Sequence, residues 1–206
     1  MYQRWHMVNN IADARDLKTY LEVGVADGQM LRKISIPNRV SVDPSNNERC
    51  VAQFRMTSDA FFTRIAIPNN MKWEVIFIDG LHHADQVERD IENSLDCLRH
   101  ERSVVMLHDC NPPNERVQRV PRTGHGCWTG DVWKAVAKFR ATHWGDYRVV
   151  TVDSDNGVGV IYHDPRTPHP ELQLPEPLTW RWFREHRKAA LGLISLQEFR
   201  YRFTKK

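Results

Sequence analysis

Titratable side chains follow two apolar runs of the chain. Asp79 and His82 come directly after the run 73–78, and His108 and Asp109 follow a second run of the same kind. Near-continuous apolar runs of this length are typical of buried strands in a parallel sheet. Parallel strands end at one edge of the sheet, so we expect these four side chains to lie close together. A histidine with a pKa near neutrality beside carboxylates is suited to removing a proton.

A glycine-containing turn stands earlier in the chain. An apolar run ends at Glu22, and Gly24 and Gly28 follow four positions apart. Glycine lets the backbone turn sharply or lie against a ligand because it has no Cβ. The spacing differs from the dinucleotide-binding and P-loop patterns. From this segment alone, a ligand-binding turn and a purely structural turn are equally good interpretations.

A second acidic residue strengthens the ligand-binding interpretation. Asp43 ends another short apolar run, nineteen positions after Gly24. In nucleotide-binding α/β folds, an acid about 20 residues past the glycine turn binds the ribose hydroxyls. A carboxylate beside this turn suits a ligand with a cationic amino group, such as S-adenosylmethionine, better than a pyrophosphate. The alternative for Asp43 is capping of a following helix or a solvated loop.

These segments resemble, in the same order, the class I S-adenosylmethionine-dependent methyltransferases. The motifs are Glu22-Val-Gly-Val-Ala-Asp-Gly28, Val42-Asp43-Pro44, Thr57-Ser58-Asp59, Phe77-Ile-Asp-Gly-Leu-His82 and Leu107-His108-Asp109. The resemblance extends over residues 18–163 and is strongest to small bacterial sugar and natural-product O-methyltransferases. It implies methyl transfer to a hydroxyl of a small molecule, a sugar or a glycosylated natural product.

The resemblance also implies which residues bind the cofactor, S-adenosylmethionine. They are Glu22, Gly24, Val25, Gly28, Asp43, Ser58, Asp59 and Asp79. Ser58 and Asp59 are expected to face the adenine. Asp59 has an alternative interpretation, because it could cap the helix that begins near residue 60.

A general base and a metal site follow from the same resemblance. His82 corresponds to the base, and Asp79, His108 and Asp109 correspond to the ligands of a divalent metal. The family has two acids where this chain has His108-Asp109. Two carboxylates and an imidazole bind Mg²⁺ only when waters and substrate oxygens complete the shell. The same donors suit Mn²⁺ or Fe²⁺. His108 could alternatively orient a neighbouring group.

A long segment without periodicity, residues 111–130, follows the second cluster. Loops of this length inside a domain are often functional, so a lid over the acceptor is one interpretation and a surface loop is the other. Arg116, Arg119 and Arg122 lie in it. Such arginines suit an anionic acceptor, for example a nucleotide sugar, through phosphate contacts.

Strand and helix patterns alternate along the chain. Strands are predicted at 19–24, 39–43, 73–79 and 103–109, and helices before residue 19 and at 46–54, 61–67, 85–98 and 131–141. A closing hairpin is predicted around Ser154–Gly157. This order predicts an α/β fold: a Rossmann-like class I methyltransferase sheet, mostly parallel with one antiparallel strand, and helices on both faces.

Length and charge bound the domain organisation and the class of partner. The 206 residues accommodate one methyltransferase domain, 1–163, and a proline-rich linker with a helical extension, 164–206. The apolar residues of the extension are expected to pack on the domain or across a homo-oligomer interface. The extension is also basic, which leaves an RNA or protein methyltransferase as an alternative, and a non-catalytic cofactor-binding scaffold as another. A net charge of +3 is too mild to favour nucleic acid.

The sequence predicts a cytoplasmic protein. No apolar run reaches the ~18 residues of a membrane span, and the N-terminus lacks a signal-peptide core. The four cysteines have no Cys-x-x-Cys spacing, so we expect reduced thiols.

Overall fold

A twisted sheet organises the computed structural model, which describes residues 2–142 and 144–205. Its strands are β1 Thr19–Val23, β2 Asn38–Val42, β3 Val75–Ile78, β4 Val104–Leu107, β5 Tyr147–Val152, β6 Val158–His163 and β7 Leu193–Ile194. Over the described residues their order is β2-β1-β3-β4-β6-β5-β7. Strand β6 is antiparallel to both β4 and β5, and every other pair is parallel. The predicted sheet with one antiparallel strand is confirmed.

Helices cover both faces of this sheet, as predicted. They are α1 Arg4–Arg15, α2 Ser58–Phe61, α3 Ala84–Asp96, α4 Val132–Ala141, α5 Trp180–Leu191 and α6 Leu196–Phe203. Alternate strand residues point to opposite faces. Leu21 and Ile76 pack in the core beneath α2–α5, whereas Tyr20 and Val75 pack in the core beneath α1 and α6.

One predicted helix, at residues 46–54, is wrong. The segment forms turns, and Phe54 pairs with Val42 in an isolated parallel bridge. Two short polar side chains at the start of the segment bind its backbone: Ser45 accepts from the backbone N–H of Asn47, and Asn47 accepts from that of Arg49. Such local bonds compete with helix formation.

The helix predicted at 61–67 begins earlier, at Ser58. Thr57 caps it by accepting a hydrogen bond from the Ala60 backbone N–H at 3.2 Å. The chain continues through a π-helical turn, Phe62–Ala66. The capping alternative for Asp59 is therefore wrong, and Asp59 occupies the first turn instead.

The C-terminal segment packs on the same sheet. Strand β7 pairs with β5, and α5 packs on α4 through Phe183 and Trp133, whose ring centroids lie 4.2 Å apart. Arg187 of α5 donates a hydrogen bond to the Asn111 side chain at 3.0 Å. Within the described ranges, no helix has the length and apolar character that crossing a bilayer requires. All four cysteines are unpaired.

Candidate active site

The carboxyl ends of β1, β2 and β3 meet around Gly24. Its backbone N–H donates to the Val42 carbonyl at 2.8 Å, and its φ is +86°. A Cβ at this position would overlap the carbonyl of Asp79. The close approach of two strand ends, in a left-handed backbone conformation, thus requires glycine here.

A cavity of about 410 Å³ opens at this edge of the sheet. Its wall includes Gly24, Asp43, Ser58 and Asp79 of the predicted cofactor residues, together with Thr57, Gln86 and apolar side chains. Cofactor cavities are typically concave, mostly apolar and supplied with a few placed polar groups. The other four predicted cofactor residues lie outside the lining.

The carboxylate of Asp43 ties the end of β2 to the glycine turn. Its Oδ2 accepts from the Ala26 backbone N–H at 2.9 Å, and its Oδ1 accepts from that of Ser45 at 2.8 Å. A carboxylate oxygen has a further lone pair after one such bond. Asp43 is therefore fixed by the backbone and still able to accept hydrogen bonds from a ligand in the cavity.

Glu22 lies beneath the turn, away from the cavity lining. It is 1% exposed, and Tyr20 donates its hydroxyl to the Glu22 carboxylate at 2.7 Å. Burial raises the pKa of Glu22 to about 8. Its predicted role in cofactor binding stays a prediction, and the side-chain contact seen here is the hydrogen bond from Tyr20 of the same strand.

We expect Glu22→Gln to stabilise the protein at high pH. The folded-state pKa lies above the ordinary value of 4.5, so the folded state holds a proton that the unfolded state releases. Wild-type stability is thus lost as the pH rises from about 4.5 to 8, by on the order of 3 kcal/mol at pH 7. Urea unfolding at pH 5 and pH 8 measures this, and parallel pH dependences for the two proteins would contradict it.

Val25, Gly28 and Asp59 have visible structural contacts. The Val25 carbonyl accepts from the Gly28 backbone N–H at 2.8 Å, and a Cβ at Gly28 would overlap the Val51 side chain. Asp59 accepts from the Gln86 side chain at 3.0 Å. Gln86 also donates to the Ser58 hydroxyl at 3.2 Å, so it links α2 to α3 at the cavity wall. Sequence reasoning missed Gln86, which lies on the inner face of a surface helix.

The expected cluster of titratable side chains is confirmed. Asp79 Oδ1 lies 3.2 Å from His82 Nε2 and 3.2 Å from His108 Nδ1. Asp109 Oδ2 lies 3.4 Å from His82 Nδ1, which also lies 3.1 Å from the Trp128 carbonyl. The positions after β3 and β4 converge because both strands end at one edge.

Charge pairing controls the protonation of this cluster. Burial would raise the pKa of Asp79, but His108 and His82 outweigh it and hold that pKa well below its usual range. Burial would lower the pKa of His108, but Asp79, Asp155 and Asp109 raise it to about 10. Asp79 and Asp109 outweigh burial at His82, whose pKa is raised, and burial raises the pKa of Asp109.

The donor atoms of Asp79, His108 and Asp109 fit a divalent metal. They lie within 4.8 Å of one another. Asp109 Oδ1 is buried without a hydrogen-bond partner among the described residues, although His108 Nδ1 is 3.5 Å away. Adjacent ligands on an octahedral ion with bonds of about 2.1 Å are about 3 Å apart. His108 Nδ1 lies 3.2 Å from Asp79 Oδ1 and 3.5 Å from Asp109 Oδ1, which is near that separation.

The loop 111–130 covers one side of the cluster. It contains no helix or strand. Trp128 stacks on His82 with ring centroids 5.3 Å apart, and the Arg122 guanidinium lies 5.7 Å from the Trp128 ring centre. Gly130 packs so closely that a Cβ there would overlap the His82 carbonyl. This side of the cluster is therefore closed by aromatic and cationic groups.

Two charged residues of the cluster were missed from the sequence. Arg4 Nε, at the start of α1, lies 3.7 Å from Asp79 Oδ2, and Arg4 Nη1 lies 3.1 Å from Asp155 Oδ2. The Asp155 carbonyl lies 2.9 Å from His108 Nε2. No spacing pattern marks Arg4, and Asp155 reads as an ordinary residue of the β5–β6 turn.

Comparison with known proteins agrees with the resemblance found in the sequence. Residues 12–110 match the family model of a methyltransferase domain. This match and the order of the strands are those expected of a chain that resembles the class I S-adenosylmethionine-dependent methyltransferases. No curated protein matches the chain.

Solved structures share the fold. The S-adenosylhomocysteine-bound methyltransferase PaMTH1 of Podospora anserina is 16% identical, with a TM-score of 0.52 and 80% of each chain covered. An O-methyltransferase of Bacillus cereus in complex with S-adenosylhomocysteine is 14% identical, with a TM-score of 0.52, covering 78% of this chain and 80% of that one. TomG of Streptomyces achromogenes, an O-methyltransferase of tomaymycin synthesis in complex with S-adenosylmethionine, is 13% identical, with a TM-score of 0.52 and coverage of 77% and 78%.

Proposed function

We propose that this protein transfers a methyl group from S-adenosylmethionine to a hydroxyl of a small molecule, a sugar or a glycosylated natural product. The observation that carries the proposal is the position of Asp79, which belongs both to the cavity wall and to the His82–His108–Asp109 cluster. Asp79 therefore connects the proposed cofactor cavity to the cluster that contains the proposed base, His82. The O-methyltransferases of similar fold support the same reaction class.

The cavity residues divide the work of cofactor binding. Asp43 accepts hydrogen bonds from the ribose hydroxyls. Ser58 and its predicted partner Asp59 lie on the adenine side. Gly24 lets the backbone approach the ligand. Val25 and Gly28 close the turn that carries Gly24, and Glu22 stays a predicted cofactor residue. Bound S-adenosylmethionine supplies an already activated sulfonium methyl group, so the protein chiefly aligns the acceptor and removes its proton.

His82 is the proposed general base. Its ring is held by Asp79, by the Trp128 carbonyl and by stacking on Trp128. His82 can accept a proton only in its neutral form. That form is favoured when another cation, in place of the His82 imidazolium, balances the charges of Asp79 and Asp109. Mg²⁺ or another divalent ion held by Asp79, His108 and Asp109 would supply that charge and polarise an acceptor hydroxyl.

The acceptor is proposed to be anionic, such as a nucleotide sugar. Arg116, Arg119 and Arg122 belong to the loop beside His82, and the Arg122 guanidinium lies near the Trp128 ring. Guanidinium groups bind phosphate oxygens in pairs of hydrogen bonds. The cytoplasmic location and the homo-oligomer stay predictions.

We expect His82→Ala to bind S-adenosylhomocysteine with wild-type affinity and to lose turnover by about 10²–10⁴-fold, the usual contribution of a general base. His83→Ala is the matched control, because His83 lies edge-on to the same Trp128 ring. Methylation of a panel of sugars, nucleotide sugars and phenols, followed by S-adenosylhomocysteine release, measures both variants. Wild-type turnover in His82→Ala would remove His82 as the base.

A further inference from the structure

We propose that Arg4 and Asp155 form a positioning pair that orients His108 towards Asp79 and Asp109. The inference rests on the proposed function, in which these three residues hold a divalent cation. Neither Arg4 nor Asp155 touches the cation or the reacting atoms in this account. They act through His108, from two segments that lie far apart in the sequence.

The first step is the contact between α1 and the β5–β6 turn. Asp155 Oδ2 accepts from the Arg4 backbone N–H at 2.9 Å and from Arg4 Nη1 at 3.1 Å. Ser154 adds a third bond, because its hydroxyl donates to the Tyr2 carbonyl at 2.9 Å. The Asp155 side chain is only 13% exposed and that of Arg4 24%, so solvent competes weakly for these bonds. The start of α1 therefore holds the turn in place.

The second step is the hydrogen bond from the turn to His108. The Asp155 carbonyl lies 2.9 Å from His108 Nε2, and a carbonyl oxygen only accepts, so Nε2 carries the hydrogen. Nδ1 then points at Asp79 Oδ1, 3.2 Å away, and at Asp109 Oδ1, 3.5 Å away. In metal sites, a carbonyl that accepts from the distal ring N–H fixes the tautomer and orientation of the ligating histidine.

The third step explains why Arg4 is needed. Asp155 has a φ of +52°, a left-handed conformation that Asp tolerates but does not favour. Arg4 lies outside the turn and donates two hydrogen bonds to the Asp155 carboxylate. These bonds hold Asp155, and hence its carbonyl, in this orientation. Arg4 also offsets the charge of Asp155. Its Nε lies 3.7 Å from Asp79 Oδ2 as well, so one guanidinium connects the turn to a proposed ligand of the cation.

The test is titration of the metal-stripped full-length protein with Mn²⁺, followed by electron paramagnetic resonance. We expect Arg4→Ala to weaken Mn²⁺ binding by about 10–100-fold, as loss of outer-shell partners does. Arg4→Lys, which keeps the charge and helps retain the fold, should recover part of the affinity. Arg15→Ala is the matched control, because Arg15 ties the other end of α1 to the Arg102 carbonyl.

The possible outcomes distinguish failure of the positioning pair from failure of the proposed metal site. Wild-type Mn²⁺ affinity in a folded Arg4→Ala protein would overturn the positioning pair and leave the metal site standing. An equal loss in Arg15→Ala would also overturn it, since general loosening of α1 would then be the cause. A wild-type protein that binds S-adenosylhomocysteine but no Mn²⁺ would refute the metal site, and with it the role of Arg4, while the cofactor cavity would stand.

Discussion

Asp43→Ala is expected to weaken S-adenosylhomocysteine binding by at least about 100-fold without unfolding the protein. The substitution removes the acceptor proposed for the ribose hydroxyls and the hydrogen bond from the Ala26 backbone N–H that holds the glycine turn against β2. A hydrogen bond to a charged group contributes roughly 1.5–3 kcal/mol. Losing two such bonds to the ribose hydroxyls would therefore weaken binding by more than about 100-fold. Isothermal titration calorimetry measures the effect.

Two variants frame the Asp43 result. Asp43→Asn retains one carbonyl oxygen and should lie between the alanine variant and the wild type. Glu48→Ala removes an exposed acid of the same segment and should bind normally. Unchanged affinity in a folded Asp43→Ala protein would contradict the placement of the cofactor between β1 and β2.

Asp109→Asn should remove metal-dependent turnover, with a loss of roughly 100-fold or more in Mn²⁺ affinity, while cofactor affinity changes little. Asp109 supplies a buried oxygen without a hydrogen-bond partner among the described residues, and its carboxylate charge attracts a hard cation. Its φ of +58° is a conformation that asparagine also tolerates, so the backbone should be retained.

The control for Asp109→Asn is Asp146→Asn, an acid with a side chain 58% exposed that pairs with His163. Circular dichroism would check the fold of both variants. Full turnover by Asp109→Asn in chelator-treated buffer would contradict a role for Asp109 in metal binding and leave His82 to act without it.

The fold was predictable where local patterns agree with tertiary packing. The strands before Asp79 and Asp109 are buried on both faces, so their sequences are almost wholly apolar and read clearly. The helix predicted at 46–54 is absent because the side chains of Ser45 and Asn47 bind the backbone locally. The apolar content of the segment nevertheless resembles that of a short helix. Side-chain competition of this kind is weakly encoded in hydrophobic periodicity.

The site was predictable to the extent that it lies at strand ends. Topology brings Asp79, His82 and Asp109 together whatever the loops do, so their neighbourhood followed from order along the chain. Arg4 reaches the cluster through a long-range contact with Asp155, across most of the chain. Such a pairing depends on how α1 packs against the β5–β6 turn, which residue spacing does not specify.

The most direct test of the central claim, cofactor binding in the cavity lined by Gly24, Asp43 and Asp79, is calorimetric titration of the metal-stripped protein with S-adenosylhomocysteine, repeated with Mg²⁺. We predict micromolar binding in the first titration and a metal-dependent change in the second. The absence of binding in both conditions would contradict the account and leave a methyltransferase fold that serves as a scaffold.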